Sequence, residues 1–237
     1  MFARILSYFY SNPCHQCDRT DIYSNRFGIC KSCIRLNFHL QKKAMESARL
    51  CPICSQNQDS EGDCEFCSSR FVFFDRVLSL RFRLGRERKL LQACKFQNER
   101  ILSSYFALDF LRILRAFKSP PDGIILLPSK DLDHDRTYHP AKPLANRLSK
   151  RWKIPIINAV HKLSKEKQSG KNYHDRFLHA KKAFVLTKKD RSMRGLHILI
   201  IDDVFTTGAS INEVARMILA AGAERVSCMV LLSNEGD

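Results

Sequence analysis

The chain has 237 residues, 44% of them hydrophobic, and a formal net charge of +16 at pH 7. That length suits one medium domain with a small accessory one, and the apolar content suffices for a buried core. No stretch reads as a membrane span. The apolar start at 2–10 is short, carries Arg4 and lacks a small-residue cleavage site, so no secretory leader is expected and the cytoplasm is the expected location.

The charge is unevenly spread. Residues 70–120 hold 12 basic against 4 acidic residues, and 141–191 hold 15 against 3, whereas 192–237 hold 3 against 6. Two basic blocks followed by an acidic stretch suit a polyanionic partner such as nucleic acid, although a solvated surface has the same composition. Aromatics are interleaved with both blocks: Phe71, Phe73, Phe74 and Phe82 in the first, Trp152, Tyr173 and Phe177 in the second. They could stack bases, and core packing is the commoner use.

In chain order, the first segment, 1–69, carries eight cysteines in four Cys-X-X-Cys pairs: Cys14/Cys17, Cys30/Cys33, Cys51/Cys54 and Cys64/Cys67. The text between them is polar and turn-rich, too poor in apolar residues to fold on a core of its own. Thiolates two residues apart can occupy two corners of a zinc tetrahedron, so four pairs allow two structural four-cysteine zinc sites. Sequential pairing is the simpler arrangement; an interleaved one uses the same residues. Residues 34–50 read as a helix joining the two halves. Cys94 and Cys228 fall in apolar patterns and read as core residues.

The second segment, 70–119, reads as a basic helical linker, with apolar residues at helical spacing from Leu90 to Leu114 and a break near Asn98. SPPDG at 119–123 is a turn that opens the third segment, 120–237. There, strands are predicted at 124–127, around 154–158, at 183–186, 197–201 and 226–232, with helices at 141–152 and 210–221. The stretch 161–180 is basic and irregular. Strands alternating with helices predict an α/β fold with a parallel sheet and helices on both faces.

The chemistry concentrates in ILIIDDVFTTGAS, residues 198–210. Four apolar residues make a buried strand, and Asp202 and Asp203 stand where parallel sheets bind ligands. Thr206, Thr207, Gly208, Ala209 and Ser210 then lead into a helix. Small residues let backbone N–H groups approach a phosphate, three hydroxyls add donors, and the helix N-terminus favours an anion. Two carboxylates beside a phosphate cradle make sense if they accept hydrogen bonds from ribose hydroxyls or reach a magnesium ion through water.

This run resembles the phosphoribosyl pyrophosphate (PRPP) motif of type I phosphoribosyltransferases. With the Cys-rich head, the whole chain resembles the ComF family of competence proteins, a double zinc ribbon followed by an amidophosphoribosyltransferase-like domain. LLQACKF at 90–96 falls where that family has its Lys-aromatic helix, and IILLPSKDLDHDR at 124–136 resembles its strand and pyrophosphate loop. Where the family has Arg-Gly-Phe-Asn, this chain has Arg136, Thr137, Tyr138 and His139; where its basic loop has Arg-Asn, this chain has Arg176 and Phe177. The resemblance implies PRPP bound with Mg²⁺, Asp202 and Asp203 holding the ribose, 206–210 the 5-phosphate, and Ser129 and Lys130 the pyrophosphate. Lys165, Lys167, Lys171 and Arg176 would close over the ligand. It further implies a role in DNA uptake during natural transformation, with single-stranded DNA and other competence proteins as partners. Two alternatives use the same site: transfer of phosphoribose from PRPP to a nitrogen base, and a regulator that responds to PRPP.

Overall fold

The structure, a computed structural model, describes residues 12–58, 64–128, 138–163, 183–187 and 193–234. Its centre is a four-stranded parallel sheet with strands Arg76–Phe82 (β1), Gly123–Leu126 (β2), His197–Phe205 (β5) and Arg225–Ser233 (β6), in the order β1-β6-β5-β2. Val160–Lys162 (β3) and Phe184–Leu186 (β4) form a separate antiparallel pair. The helices are Ile22–Phe27 (α1), Lys31–Ser47 (α2), Glu65–Ser68 (α3), Gly85–Phe96 (α4), Leu102–Phe106 (α5), Phe110–Ala116 (α6), Lys142–Trp152 (α7) and Ala209–Ala220 (α8).

The parallel sheet is buried on both faces, as its unbroken apolar strands require. One face packs Leu199, Ile201 and Met229 against Leu90, Leu102, Tyr105, Leu144 and Leu148 from α4, α5 and α7. The other packs Ile198, Ile200, Cys228 and Val230 against Ile211, Val214 and Ile218 of α8. Cys94 and Cys228 are both buried, and burial pushes the Cys94 thiol up to about 12, so neither is a reactive thiolate.

Two expectations change. Residues 76–82 read as part of a basic helical segment but form an edge strand, parallel to β6 from Arg76 opposite Ser227 to Phe82 opposite Ser233. The strand expected at 154–158 is a single parallel bridge, Ile156 to Ile124, beside β2. The break near Asn98 is present: Asn98 adopts φ +59° between α4 and α5.

The free edge of β1 is sealed by the Cys-rich segment. Val77 donates its N–H to the Ile53 carbonyl at 2.6 Å, and the Val77 carbonyl accepts from the Ser55 hydroxyl. At the other end Gln41, from α2, both accepts from the Phe82 N–H at 2.8 Å and donates to its carbonyl at 2.9 Å. In between, Arg112 Nη2 donates to the Ser79 carbonyl at 2.7 Å. An edge strand left open would present unpaired backbone groups, and here side chains and knuckle backbone take them up.

Arg81, also on β1, is 2% exposed. Its Nε donates to Asp109 at 2.7 Å, Nη1 reaches Glu87 on α4 at 3.4 Å, and Nη2 points at the Tyr105 carbonyl at 3.4 Å. The guanidinium lies over the rings of Tyr105 at 4.2 Å and Phe38 at 4.6 Å. Burial alone would make it give up its proton more readily; Asp109, Tyr105 and Glu87 outweigh that and hold the charge. Tyr105 closes the network by donating to Glu87 at 2.7 Å and accepting from Asn37 of α2 at 3.0 Å. Arg81→Met therefore leaves Glu87 buried without its cation and Asp109 with only the more distant Arg112, at 3.9 Å. The expected loss is about 3–5 kcal/mol, read as a lower urea midpoint; an unchanged midpoint would contradict the clamp.

Candidate functional site

The two halves of the Cys-rich segment bring their cysteines together in sequential pairs. Cys14, Cys17, Cys30 and Cys33 form one cluster and Cys51, Cys54, Cys64 and Cys67 the other, with the sulfurs of each within 4.8 Å of one another. None is in a disulfide. Sulfur separations of 3.5 Å (Cys17–Cys33), 3.6 Å (Cys17–Cys30), 3.4 Å (Cys54–Cys64) and 3.8 Å (Cys51–Cys67) are close to the edge of about 3.8 Å of a tetrahedron with Zn–S bonds near 2.3 Å. The donor set therefore fits zinc. Its electrostatics ask for a cation as well. A backbone N–H donated by Arg19 lowers the Cys17 thiol to about 7, while burial raises Cys33 and Cys54. A divalent ion among four sulfurs removes that conflict.

Each cluster is packed on one face of the sheet. The first shares a core with α4 and α5, the second with α8 and the end of β5. Phe66 of α3 meets Phe205 edge-on, with ring centroids 5.3 Å apart. Arg70 stacks on Phe66 and donates to the Thr207 carbonyl at 3.3 Å. From α8, Asn212 accepts from the Phe73 N–H and donates to the Phe71 carbonyl, both at 2.9 Å. The second cluster thus abuts the loop that follows β5.

That loop comprises Thr206, which is exposed, partly buried Thr207, and Gly208, buried at φ +62°. A side chain at 208 would put Cβ 2.5 Å from the Phe205 ring and 2.7 Å from the Phe66 ring, so glycine is required by conformation and by space. Ala209 and Ser210 open α8, and the Asn212 N–H bonds the Gly208 carbonyl at 2.8 Å. Free backbone donors at the start of a 12-residue helix are thereby directed out of the C-terminal edge of the sheet.

Asp202 and Asp203 lie inside β5, which runs four residues beyond the expected end at 201, to Phe205. β2 stops at Leu126 opposite Ile201, so the acids emerge just past their neighbour on that side. Asp202 turns back to accept from the Asp203 N–H at 2.8 Å, which lets neighbouring strand residues serve one site. Asp203 is 7% exposed and its Oδ2 meets Lys95 Nζ, from α4, at 2.5 Å. Asp202 Oδ1 faces His139 Nε2 at 3.8 Å, and His139, Asp202 and Asp203 lie within 4.8 Å of one another. Ser129 and Lys130 lie outside the described residues, as do Lys165, Lys167, Lys171 and Arg176. The β3–β4 pair brackets the segment that holds the last four.

Lys95 and His139 are therefore site residues that the sequence reading does not name as such. Both stand in stretches that the family resemblance marks, Lys95 in the Lys-aromatic run 90–96 and His139 at the end of 136–139, but neither residue type by itself points to the acids.

The comparisons agree with this architecture. Residues 136–237 match the model of the phosphoribosyl transferase domain. Competence protein ComFC of Bacillus subtilis is 28% identical over 87% of this chain and 84% of its own. Competence protein F of Haemophilus influenzae is 26% identical over 92% and 95%, and DNA utilization protein YhgH of Salmonella typhi 26% over 90% and 93%. These matches run through the Cys-rich head as well as the sheet domain. Over most of its length the chain is similar to these competence and DNA utilization proteins. This chain joins two four-cysteine clusters that fit a double zinc ribbon to a phosphoribosyltransferase-type parallel sheet. Among solved structures, the allosteric regulatory enzyme of purine biosynthesis aligns with 55% of this chain and 26% of its own, at 13% identity and a TM-score of 0.37. No helix among the described residues is long and apolar enough to cross a membrane.

Proposed function

We propose that this protein is a member of the ComF family that takes part in DNA uptake, binding PRPP with Mg²⁺ at the β5–α8 site and single-stranded DNA on its basic surface. The carrying observation is the pairing of Asp202 and Asp203 with the Thr206–Ser210 loop on one strand–helix junction. The loop offers backbone donors and hydroxyls to a 5-phosphate, and the acids accept from the ribose hydroxyls. Mg²⁺ arrives with the pyrophosphate, whose charge it offsets, and Ser129 and Lys130 are proposed to hold that end. Lys165, Lys167, Lys171 and Arg176 are proposed to cover it. On this reading PRPP with Mg²⁺ raises the melting temperature, by the equivalent of about 2.7 kcal/mol at a hundred times Kd. Asp202→Asn combined with Asp203→Asn removes the rise. Absence of any shift at millimolar PRPP in the unaltered protein would refute the site.

The DNA half of the reading rests on charge and on relatives named for competence and DNA utilization. Of the interleaved aromatics, Phe74 and Phe82 are core residues and Trp152 packs edge-on against Phe117. Phe71 is 88% exposed, and its carbonyl is held by Asn212 of α8, close to the phosphate loop. Among the described residues, which do not include Tyr173 and Phe177, it is the aromatic best placed to stack a base beside the sugar-phosphate site. Single-strand affinity should fall steeply between 50 and 200 mM salt, measured by fluorescence anisotropy; a flat response would exclude phosphate contacts as its source.

The cysteine clusters are proposed to hold two structural zinc ions, consistent with a reducing cytoplasm where thiolates persist. Elemental analysis should give two zinc ions per chain, and stripping them should unfold both faces of the sheet together. A protein free of metal yet fully folded would overturn this assignment.

A further inference from the structure

His139, Asp202 and Asp203 have the composition of a cation site, but their protons are arranged for a different guest. His139 is 8% exposed, and its Nδ1 accepts the Ala141 backbone N–H at 3.1 Å. A neutral imidazole carries one N–H, so with Nδ1 accepting, the proton sits on Nε2. Nε2 has no hydrogen-bond partner among the described residues and faces Asp202 Oδ1 across 3.8 Å, beyond hydrogen-bonding range. A buried donor without a partner costs stability, which a bound acceptor would recover. A metal ion would need the lone pair that the proton occupies. Lys95, already on Asp203 at 2.5 Å, sets a second positive group against any cation there.

Each acid thus has a donor of its own: His139 Nε2–H beside Asp202, and Lys95 Nζ beside Asp203. A sugar hydroxyl is the group that satisfies such a pair, giving its proton to the carboxylate while its oxygen accepts from the neighbouring donor. Two pairs side by side match two hydroxyls on adjacent carbons. The 3.8 Å gap leaves room for a hydroxyl oxygen seated to one side of the line between Nε2 and Oδ1, within bonding distance of both. Resting on the sugar-phosphate reading of the site, in which the two acids hold the ribose hydroxyls, we propose that His139 is a specificity-determining residue for that sugar. Its Nε2–H is the donor to one ribose hydroxyl, and the His139–Asp202–Asp203 group does not ligate a metal directly.

Removing the hydroxyl that His139 holds leaves its Nε2–H without a partner again, whereas Lys95 and Asp203 still hold each other. The site should therefore reject the deoxy analogue that lacks this hydroxyl by about a hundredfold, as sites built to hydrogen-bond a hydroxyl do. The test is calorimetric titration of the full, metal-loaded chain with ribose 5-phosphate and its 2-deoxy and 3-deoxy analogues. His139→Asn keeps an acceptor near the Nδ1 position for Ala141 but does not reach as far as Nε2; His139→Gln reaches that far with an N–H. We expect His139→Asn to melt near the temperature of the unaltered protein and to bind ribose 5-phosphate about tenfold or more weakly, with His139→Gln recovering most of the loss. In His139→Asn, removing the hydroxyl that His139 holds should cost clearly less than in the unaltered protein, since only its bond to Asp202 is left to lose, while removing the other should cost as much as before. Unchanged affinity in His139→Asn, or rescue by Asn and not by Gln, would overturn the donor role while leaving the sugar-phosphate site standing. Manganese bound without sugar, and lost on His139→Asn, would overturn it in favour of a metal site. Failure of the unaltered chain to bind ribose 5-phosphate or PRPP would overturn both readings.

Discussion

The free edge of β1 is the constraint on which the molecule turns. A parallel sheet cannot leave that edge open, and the groups that close it come from a segment with no core of its own. Ile53 and Ser55 lie in the knuckle of the second cysteine cluster, Gln41 on the helix between the clusters. The clusters order the cap, the cap completes the sheet, and the sheet sets the position of β5. Arg81 ties the same strand to α4 through Glu87, and α4 carries Lys95 to Asp203. Cysteine cluster, buried guanidinium and carboxylate site are successive links of one chain of contacts.

Seen this way, the Cys-rich head is part of the phosphoribosyltransferase-type fold. It takes both faces of the sheet, one cluster on each, with α2 passing around the β1 edge between them. The cluster nearer the site touches it through Phe66, Phe205 and Gly208, and the cluster farther away reaches it through α4. Both routes end within the residues 202–208. A ligand at that site and a polyanion along the basic surface would therefore act on connected elements, and the regulator and DNA-handling readings draw on the same contacts.

What was legible in the sequence was local. The four Cys-X-X-Cys pairs, the apolar strand at 198–201 and the loop at 206–210 carry their chemistry within a few residues, and the structure brings each together as the spacing implies. Strand β1 was hidden because Arg76 and Arg81 made its alternation look like part of a charged block; a fully buried arginine is intelligible only with Asp109 and Glu87 in view. Lys95 and His139 reach the acids across more than sixty residues of sequence each, and nothing in a short window reports such a contact. The extension of β5 through both acids depends likewise on β6, which pairs with it as far as Phe205 opposite Ser233.

Gly208 fixes one more property of the chain. The space above it is filled by a ring from its own strand and a ring from the Cys-rich head, leaving no room for even a methyl group. Phe66, Phe205 and Gly208 are consequently a single unit of inheritance, since a change of size at any one of them obliges an answering change at the others. Heads and sheet domains in this lineage cannot be shuffled freely. A head taken from another protein would have to arrive with its own aromatic at the place of Phe66 and a cation at the place of Arg70, or the loop after β5 would lose its shape.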